Sequence, residues 1–319
     1  MKKVAETKTN INNRIQKIPY DQWTPEILAT AKLAYAEDIP YDEAEKISVD
    51  ECLAELNQLV GLTGVKTALT KLAHTINNEI ESAKLEDRRP QIPLGHYLFL
   101  GNPGTGKTTV ARLMGKILYS MGALPTPNVV EVDKSKLVGR YLGDTEAITS
   151  HVIDTAMGGI LFIDEAYQLA DDIGAHGGYG KAALETLVKR LEDDRGKFVC
   201  IAAGYTYEMQ DFIAGNSGFE SRFPERNRII FEDYNPDELF QIFMIYAKKE
   251  GYVLDPMAEN AIRAKFTMMY NNRGRSFGNG RDARNLFDEV KSNLAARLAE
   301  DGQTHTLEEK KTIMMEDVL

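Results

Sequence analysis

The run Gly101-Asn-Pro-Gly-Thr-Gly-Lys-Thr108 constrains this chain more than any other stretch. It fits G-x-x-x-x-G-K-[ST], in which glycines let the backbone wrap a chain of phosphates. The N–H groups of such a loop, and of the helix it opens, face the anion. The flanks agree with the motif: His96 to Leu100 reads as a short buried strand, and Thr108 to Leu118 as a helix. In that setting Lys107 would reach the β- and γ-phosphates, and the Thr108 hydroxyl would bind Mg²⁺.

A second signal turns a nucleotide site into a hydrolysis site. Gly159-Ile-Leu-Phe-Ile163 is an apolar strand that ends in Asp164-Glu165. A buried strand delivers both carboxylates to its C-terminal edge, where α/β sheets bind ligands. Asp164 would hold the Mg²⁺ shell, leaving Glu165 to orient and deprotonate an attacking water.

Bulk properties narrow the partners. At 319 residues the chain is long enough for two compact domains. A net charge of −10 disfavours nucleic acid as the main ligand, because phosphate contacts need a basic face. Two cysteines, Cys52 and Cys200, argue against a disulfide framework and for a reducing, cytoplasmic setting. The N-terminal stretch shows no apolar signal region, and no segment approaches the ~20 apolar residues of a membrane span. The five histidines lack metal-ligand spacing.

Strands and helices alternate through the middle of the chain. Tyr97–Leu100, Val129–Val132, Ile160–Ile163, Phe198–Ala202 and Arg228–Phe231 read as strands with helices between them. That alternation predicts a parallel sheet covered on both faces. After Asn235-Pro236 the strands stop, and Asp237–Lys249, Pro256–Tyr270 and Arg281–Leu298 read as amphipathic helices. In the last of these Leu286, Val290, Leu294 and Leu298 recur every fourth residue. Ahead of the sheet, Thr24-Pro25-Glu26 reads as one helix start and Ser48-Val-Asp-Glu51 as a capping box for another. The division is therefore a helical extension over residues 1–52, an α/β domain over 53–234 and a helical domain over 235–319.

Four further features invite a role. Arg222, within Ser221-Arg-Phe223, sits on a loop before the last strand, with Arg226 as a second candidate. Arginine there can be a surface salt bridge or can enter a neighbouring subunit's nucleotide site. Arg281, after Gly278-Asn-Gly280, opens the last helix and can reach across to phosphates; Arg284, one turn on, competes with it. Tyr141 and Leu142 lie between glycines in a loop after the second strand and are poor core material. The glycine-rich loop from Gly174 to Gly180 carries a weaker signal of the same kind.

Taken in order, the phosphate loop, loop aromatic, Asp-Glu strand, Ser-Arg-Phe arginine and lid arginine resemble the AAA+ ATPases. The resemblance is nearest to the branch of red-type rubisco activase and stage V sporulation protein K, with a similar module in type VII secretion ATPases. It rests on Leu137-Val-Gly-Arg-Tyr-Leu-Gly-Asp-Thr145, on Ala156-Met-Gly-Gly-Ile-Leu-Phe-Ile-Asp-Glu-Ala-Tyr167 and on Ala203-Gly-Tyr205, and spans about residues 53–319. It implies a P-loop core with a five-stranded parallel sheet and a C-terminal α-helical lid. It further implies ATP and Mg²⁺ as cofactors. Val60 and Gly61 would line the adenine pocket. Asn102, Pro103, Gly104, Thr105, Gly106, Lys107, Thr108 and Thr109 would bind the phosphates, with Thr108 and Asp164 on the metal. Glu165, Lys107, Arg222 and Arg281 would be catalytic, Arg222 as a finger acting in trans and Arg281 as the lid sensor. Tyr141 and Leu142 would grip a polypeptide in a central pore. Where this family often places a polar sensor, the fourth strand runs Ala202-Ala-Gly-Tyr205-Thr206, so Tyr205 or Thr206 takes that position.

The expected activity is ATP hydrolysis by a homo-oligomeric ring, six subunits, that remodels a client protein which the sequence does not specify. A nucleotide-gated scaffold with slow turnover is the alternative, and the intact Glu165 speaks against a dead site. Asp193-Asp-Arg-Gly196 fits D-x-x-G, but no Asn-Lys pair exists to read guanine, so GTP is disfavoured. No protease signature is present.

Overall fold

The computed structural model describes residues 48–139, 142–170, 178–275, 277–300 and 303–318. All belong to the second of two compact units, residues 47–319. The helix expected from Thr24, Tyr141, the side chain of Leu142 and most of the Gly174–Gly180 loop lie outside the described residues.

Ser48 opens α1 (Val49–Gln58) with the expected capping box. Its Oγ accepts from the Glu51 N–H at 3.2 Å, and Glu51 Oε2 accepts from the Ser48 N–H at 3.0 Å. A turn with Gly61 and Leu62 at φ 58° and 56° leads into α2 (Thr63–Leu85). The alternation then follows as β1 (Tyr97–Gly101), α3 (Lys107–Ser120), β2 (Val129–Val132), the one-turn α4 (Lys134–Leu137) and α5 (Leu142–Thr155). It continues as β3 (Ile160–Ile163), α6 (Tyr179–Asp193), β4 (Val199–Gly204), α7 (Thr206–Ala214), α8 (Ser217–Glu220) and β5 (Arg228–Phe231).

The five strands pair in parallel in the order β2-β3-β4-β1-β5. Successive side chains leave opposite faces of a strand, and in β1, β3 and β4 both faces are buried. Tyr97, Phe99, Phe162, Ile201 and Ile229 enter one core with Leu56, Leu69, Ile76 and Met114 from α1, α2 and α3. Leu98, Leu100, Leu161, Ile163, Cys200 and Ala202 enter the other with Ile153, Leu187 and Phe212 from α5, α6 and α7. Double burial is why β1, β3 and β4 read as unbroken apolar runs. Each fully buried Leu or Phe contributes about 1.5–3 kcal/mol.

Asn235 caps α9 (Pro236–Lys249) through a second capping box with Glu238. The helical domain continues through β6 (Val253–Leu254), α10 (Pro256–Asn271), α11 (Gly280–Glu300), β7 (Thr312–Ile313) and α12 (Met315–Val318). Here the structure corrects the expectation that strands end at Asn235: β6 and β7 pair in parallel. Two residues per strand are too few to leave an alternation in the sequence. The core of this domain is aromatic, with Phe243 edge-on to Phe266 and Phe287 at 6.2 and 5.6 Å between ring centres. The every-fourth stripe faces it, with Leu286, Val290 and Leu294 buried and Leu298 at its margin. Leu62 packs against both this core and the sheet core beneath α2.

Candidate active site

Strand order builds the site. Because β4 lies between β3 and β1, three C-terminal strand ends stand in a row. They carry Asp164 and Glu165 after β3, Tyr205 after β4, and the 102–106 loop after β1. A cleft of about 480 Å³ runs along them, a size suited to a small-molecule ligand. Of the expected residues, Val60, Pro103, Gly104, Thr105, Gly106, Lys107, Thr108, Thr109, Asp164, Glu165 and Arg281 line it.

The loop is bound through its carbonyls and open through its amides. Lys107 Nζ donates to Gly101 O at 2.7 Å and to Asn102 O at 2.9 Å. Gly104 O accepts from the Gly280 N–H at 3.1 Å, and Thr105 O from the Tyr234 hydroxyl at 3.3 Å. Among the described residues the N–H groups of Gly104, Thr105 and Gly106 find no acceptor. Gly104 and Gly106 hold φ of 68° and 91°, conformations that suit glycine. Free amides at the start of a fourteen-residue helix form an anion site, so the residues present fit a chain of phosphates.

Lys107 is buried. Burial drops its pKa to about 8, against the opposing pull of Asp164 and Glu165. The Asp164 carboxyl is pushed up, chiefly by burial, with Lys107 opposing and Glu165 adding. The Thr108 hydroxyl and the Asp164 carboxylate are hard oxygen donors in one cleft. Mg²⁺ is usually held by one or two such protein groups together with substrate phosphates, so this donor set fits it.

Glu165 is fixed at both oxygens. Tyr205 Oη donates to Oε1 at 2.9 Å, and Gln168 Nε2 donates to Oε2. The Tyr205 ring lies 5.7 Å from that of Tyr167 and under the Lys107 ammonium. Glu165 holds φ 49°, which costs a non-glycine residue about 1 kcal/mol or more. The other described non-glycine residues with positive φ are Leu62, Asn279 and Asp87; the first lines the cleft and the second adjoins its loop. A carboxylate held at both ends beside a cation site can orient a water and accept its proton.

Not every other expected residue joins them. Gly61 backs onto Glu238, whose Oε1 would lie 2.4 Å from a Cβ at that position. Asn102 turns its amide to Asp233 at 2.9 and 3.1 Å. Thr206 starts α7, and it is Tyr205 that meets Glu165. Arg284 joins Arg281 at the cleft. Arg222 lies with Arg226 and His96 in a separate cavity of about 740 Å³ at the N-terminal end of β1. That is a strand length, about 16 Å, from the phosphate loop. There Arg222 Nη1 donates to Ser221 Oγ at 2.6 Å and Nε is 3.5 Å from Glu192 Oε2.

Sequence reading passed over Gln168, Tyr234, Ile242 and Ile245. Gln168 alone left a signal, since it stands three residues beyond Glu165 in the 3₁₀ turn Ala166–Ala170, where i and i+3 eclipse. The others come from the far side of the cleft, through β5 and α9.

Residues 97–229 match the ATPase family associated with various cellular activities (AAA), and residues 235–319 match the AAA lid domain. The chain is 36% identical to stage V sporulation protein K of Bacillus subtilis over 85% of its own length and 83% of that relative. It is likewise 36% identical to the chloroplastic ribulose bisphosphate carboxylase/oxygenase activase of Cyanidioschyzon merolae, over 87% and 93% of the two chains. The crystal structure of the FIGL-1 AAA domain shares the fold at a TM-score of 0.58 and 19% identity, covering 93% of this chain and 88% of that one. Phosphate loop, acidic strand end, helical lid and relatives agree: this chain belongs to the AAA ATPases.

Proposed function

We propose that this chain is a Mg²⁺-dependent ATPase that works in the cytoplasm as a homo-oligomeric ring of six subunits and remodels a client protein. One observation carries the reading. Glu165, held by Tyr205 and Gln168, shares a single cleft with Lys107, Asp164, Thr108 and Arg281.

Bound Mg²⁺ and ATP would supply a γ-phosphoryl group that water can accept. The amides of Gly104, Thr105 and Gly106 hold the phosphates, with Val60 and the loop from Asn102 to Thr109 around them. Lys107 gives up its bonds to Gly101 O and Asn102 O to face the anion. Thr108 and Asp164 hold the cation, while Glu165 orients the water and takes its proton. Arg281 brings positive charge from the lid. Arg222, on the opposite edge of the sheet, serves a neighbouring subunit's site, since it cannot reach its own. Tyr141 and Leu142 grip the client within the ring.

The test is Glu165→Gln. ATP turnover should be abolished while ATP binding, read by calorimetry, persists. Turnover at the wild-type rate would remove Glu165 as the base.

A further inference from the structure

Four consecutive residues of the phosphate loop are each tied to the lid or to the linker that carries it. Asn102 Nδ2 donates to Asp233 Oδ1 and Oδ2 at 2.9 and 3.1 Å. Pro103 O accepts from Asn279 Nδ2 at 3.3 Å, Gly104 O from the Gly280 N–H at 3.1 Å, and Thr105 O from Tyr234 Oη at 3.3 Å. Asp233 and Tyr234 belong to the linker between β5 and α9, and Asn279 and Gly280 to the turn that opens α11. The contact is close: a Cβ at Gly104 would fall 2.0 Å from Gly278 O.

Asn279 is the centre of this knot. It is fully buried and holds φ 52°. Its Oδ1 accepts from the Tyr234 N–H at 2.8 Å. Its Nδ2 faces three acceptors: Asp233 Oδ1 at 2.8 Å, Phe277 O at 3.1 Å and Pro103 O at 3.3 Å. The neighbours fix the amide's orientation, because only its oxygen can meet an N–H and only its nitrogen can meet those three oxygens. Two residues on, Arg281 enters the cleft.

We propose that Asp233 and Asn279 are positioning residues for the hydrolysis proposed above, on which this inference rests: they lock the phosphate loop to the lid so that loop and Arg281 move as one body. All the bonds from lid and linker reach carbonyls or the Asn102 side chain, which leaves the loop amides free for the anion. A lid that turned about residues 232–235 would pull on Pro103 and Gly104 directly. Neither Asp233 nor Asn279 touches the reacting groups; both act through the loop and Arg281.

The test uses the full chain in two variants, Asp233→Asn and Asn279→Ala. Asp233→Asn sets an amide nitrogen against that of Asn102 and keeps the residue's shape, so it is the milder of the two. Both should raise hydrogen exchange at the Tyr234 and Gly280 N–H groups, which the lock bonds to Asn279 Oδ1 and Gly104 O, with exchange in β2 and β3 unchanged. Turnover should fall ~10-fold or more, with the affinity for ADP within about 3-fold of wild type, as expected when geometry is lost at the reacting centre and binding groups stay. Exchange at Tyr234 and Gly280 identical to wild type in Asp233→Asn overturns the inference. So does unchanged turnover, or a loss of ADP affinity that matches the loss of turnover. Should the wild-type chain itself not hydrolyse ATP, the proposed function fails and the exchange measurement still decides whether the lock exists.

Discussion

At the scale of single residues, Glu165 depends on Tyr205. The phenol bonds one carboxylate oxygen and sits beneath Lys107, so it spaces the proposed base from the Lys107 ammonium. Tyr205→Phe keeps the ring and removes the hydrogen bond, which to a charged partner is worth about 1.5–3 kcal/mol. Turnover should fall roughly 10-fold with ATP affinity unchanged, read by steady-state kinetics and calorimetry; kinetics equal to wild type would leave the bond without a role. His96 offers a second check, far from the cleft. Its Nδ1 accepts from the Cys200 N–H at 3.0 Å and its Nε2 faces Leu191 O at 3.2 Å, an arrangement that fits the neutral ring. Burial, aided by Arg195, pushes its pKa down, against the Leu191 carbonyl and Glu192. A histidine lowered by folding contributes its stability above the unfolded value, about 6.5, and loses it as pH falls through the folded value. Between about pH 7.5 and pH 5, Tm should therefore fall further in wild type than in His96→Gln. An equal fall would show that His96 takes no part.

At the scale of elements, β1 is the support for the phosphate loop. Phe99 lies at its centre, fully buried, with its ring centre 5.0 Å from that of Phe231 on β5. Phe99→Ala should cost about 3–5 kcal/mol in chemical denaturation. A loss under about 1 kcal/mol would mean that the core collapses into the space. The three inner strands, β3, β4 and β1, were legible because both their faces are apolar and turn residues bound them. The phosphate loop and the Asp164-Glu165 end were legible because their chemistry is written in adjacent residues. The ladder of β6 and β7 was not, since two residues carry no period. Nor was the lock at Asn279, which in Gly278-Asn-Gly280 reads as a plain turn; its partners Pro103 and Asp233 stand 176 and 46 residues away. Gly61 illustrates the reverse case. The resemblance assigned it to the adenine pocket, whereas its contact with Glu238 exists only after α9 folds back over the loop.

At the scale of the whole molecule, the two halves of the reaction centre proposed above stand at opposite edges of the sheet. Lys107, Asp164, Glu165 and Arg281 share a cleft at the C-terminal edge, and Arg222 lies at the N-terminal edge. Among the described residues no helix is long and apolar enough to cross a membrane. A second copy, turned so that its Arg222 faces the first copy's cleft, makes a head-to-tail contact of the kind that closes into rings. The most direct measurement is ATP turnover by an equimolar mixture of Glu165→Gln and Arg222→Ala chains, each of which should be inactive alone. In the mixture about a quarter of neighbouring pairs join an intact Glu165 to an intact Arg222, so turnover should return to about that fraction of wild type. A mixture as inactive as its components would contradict a site shared between subunits.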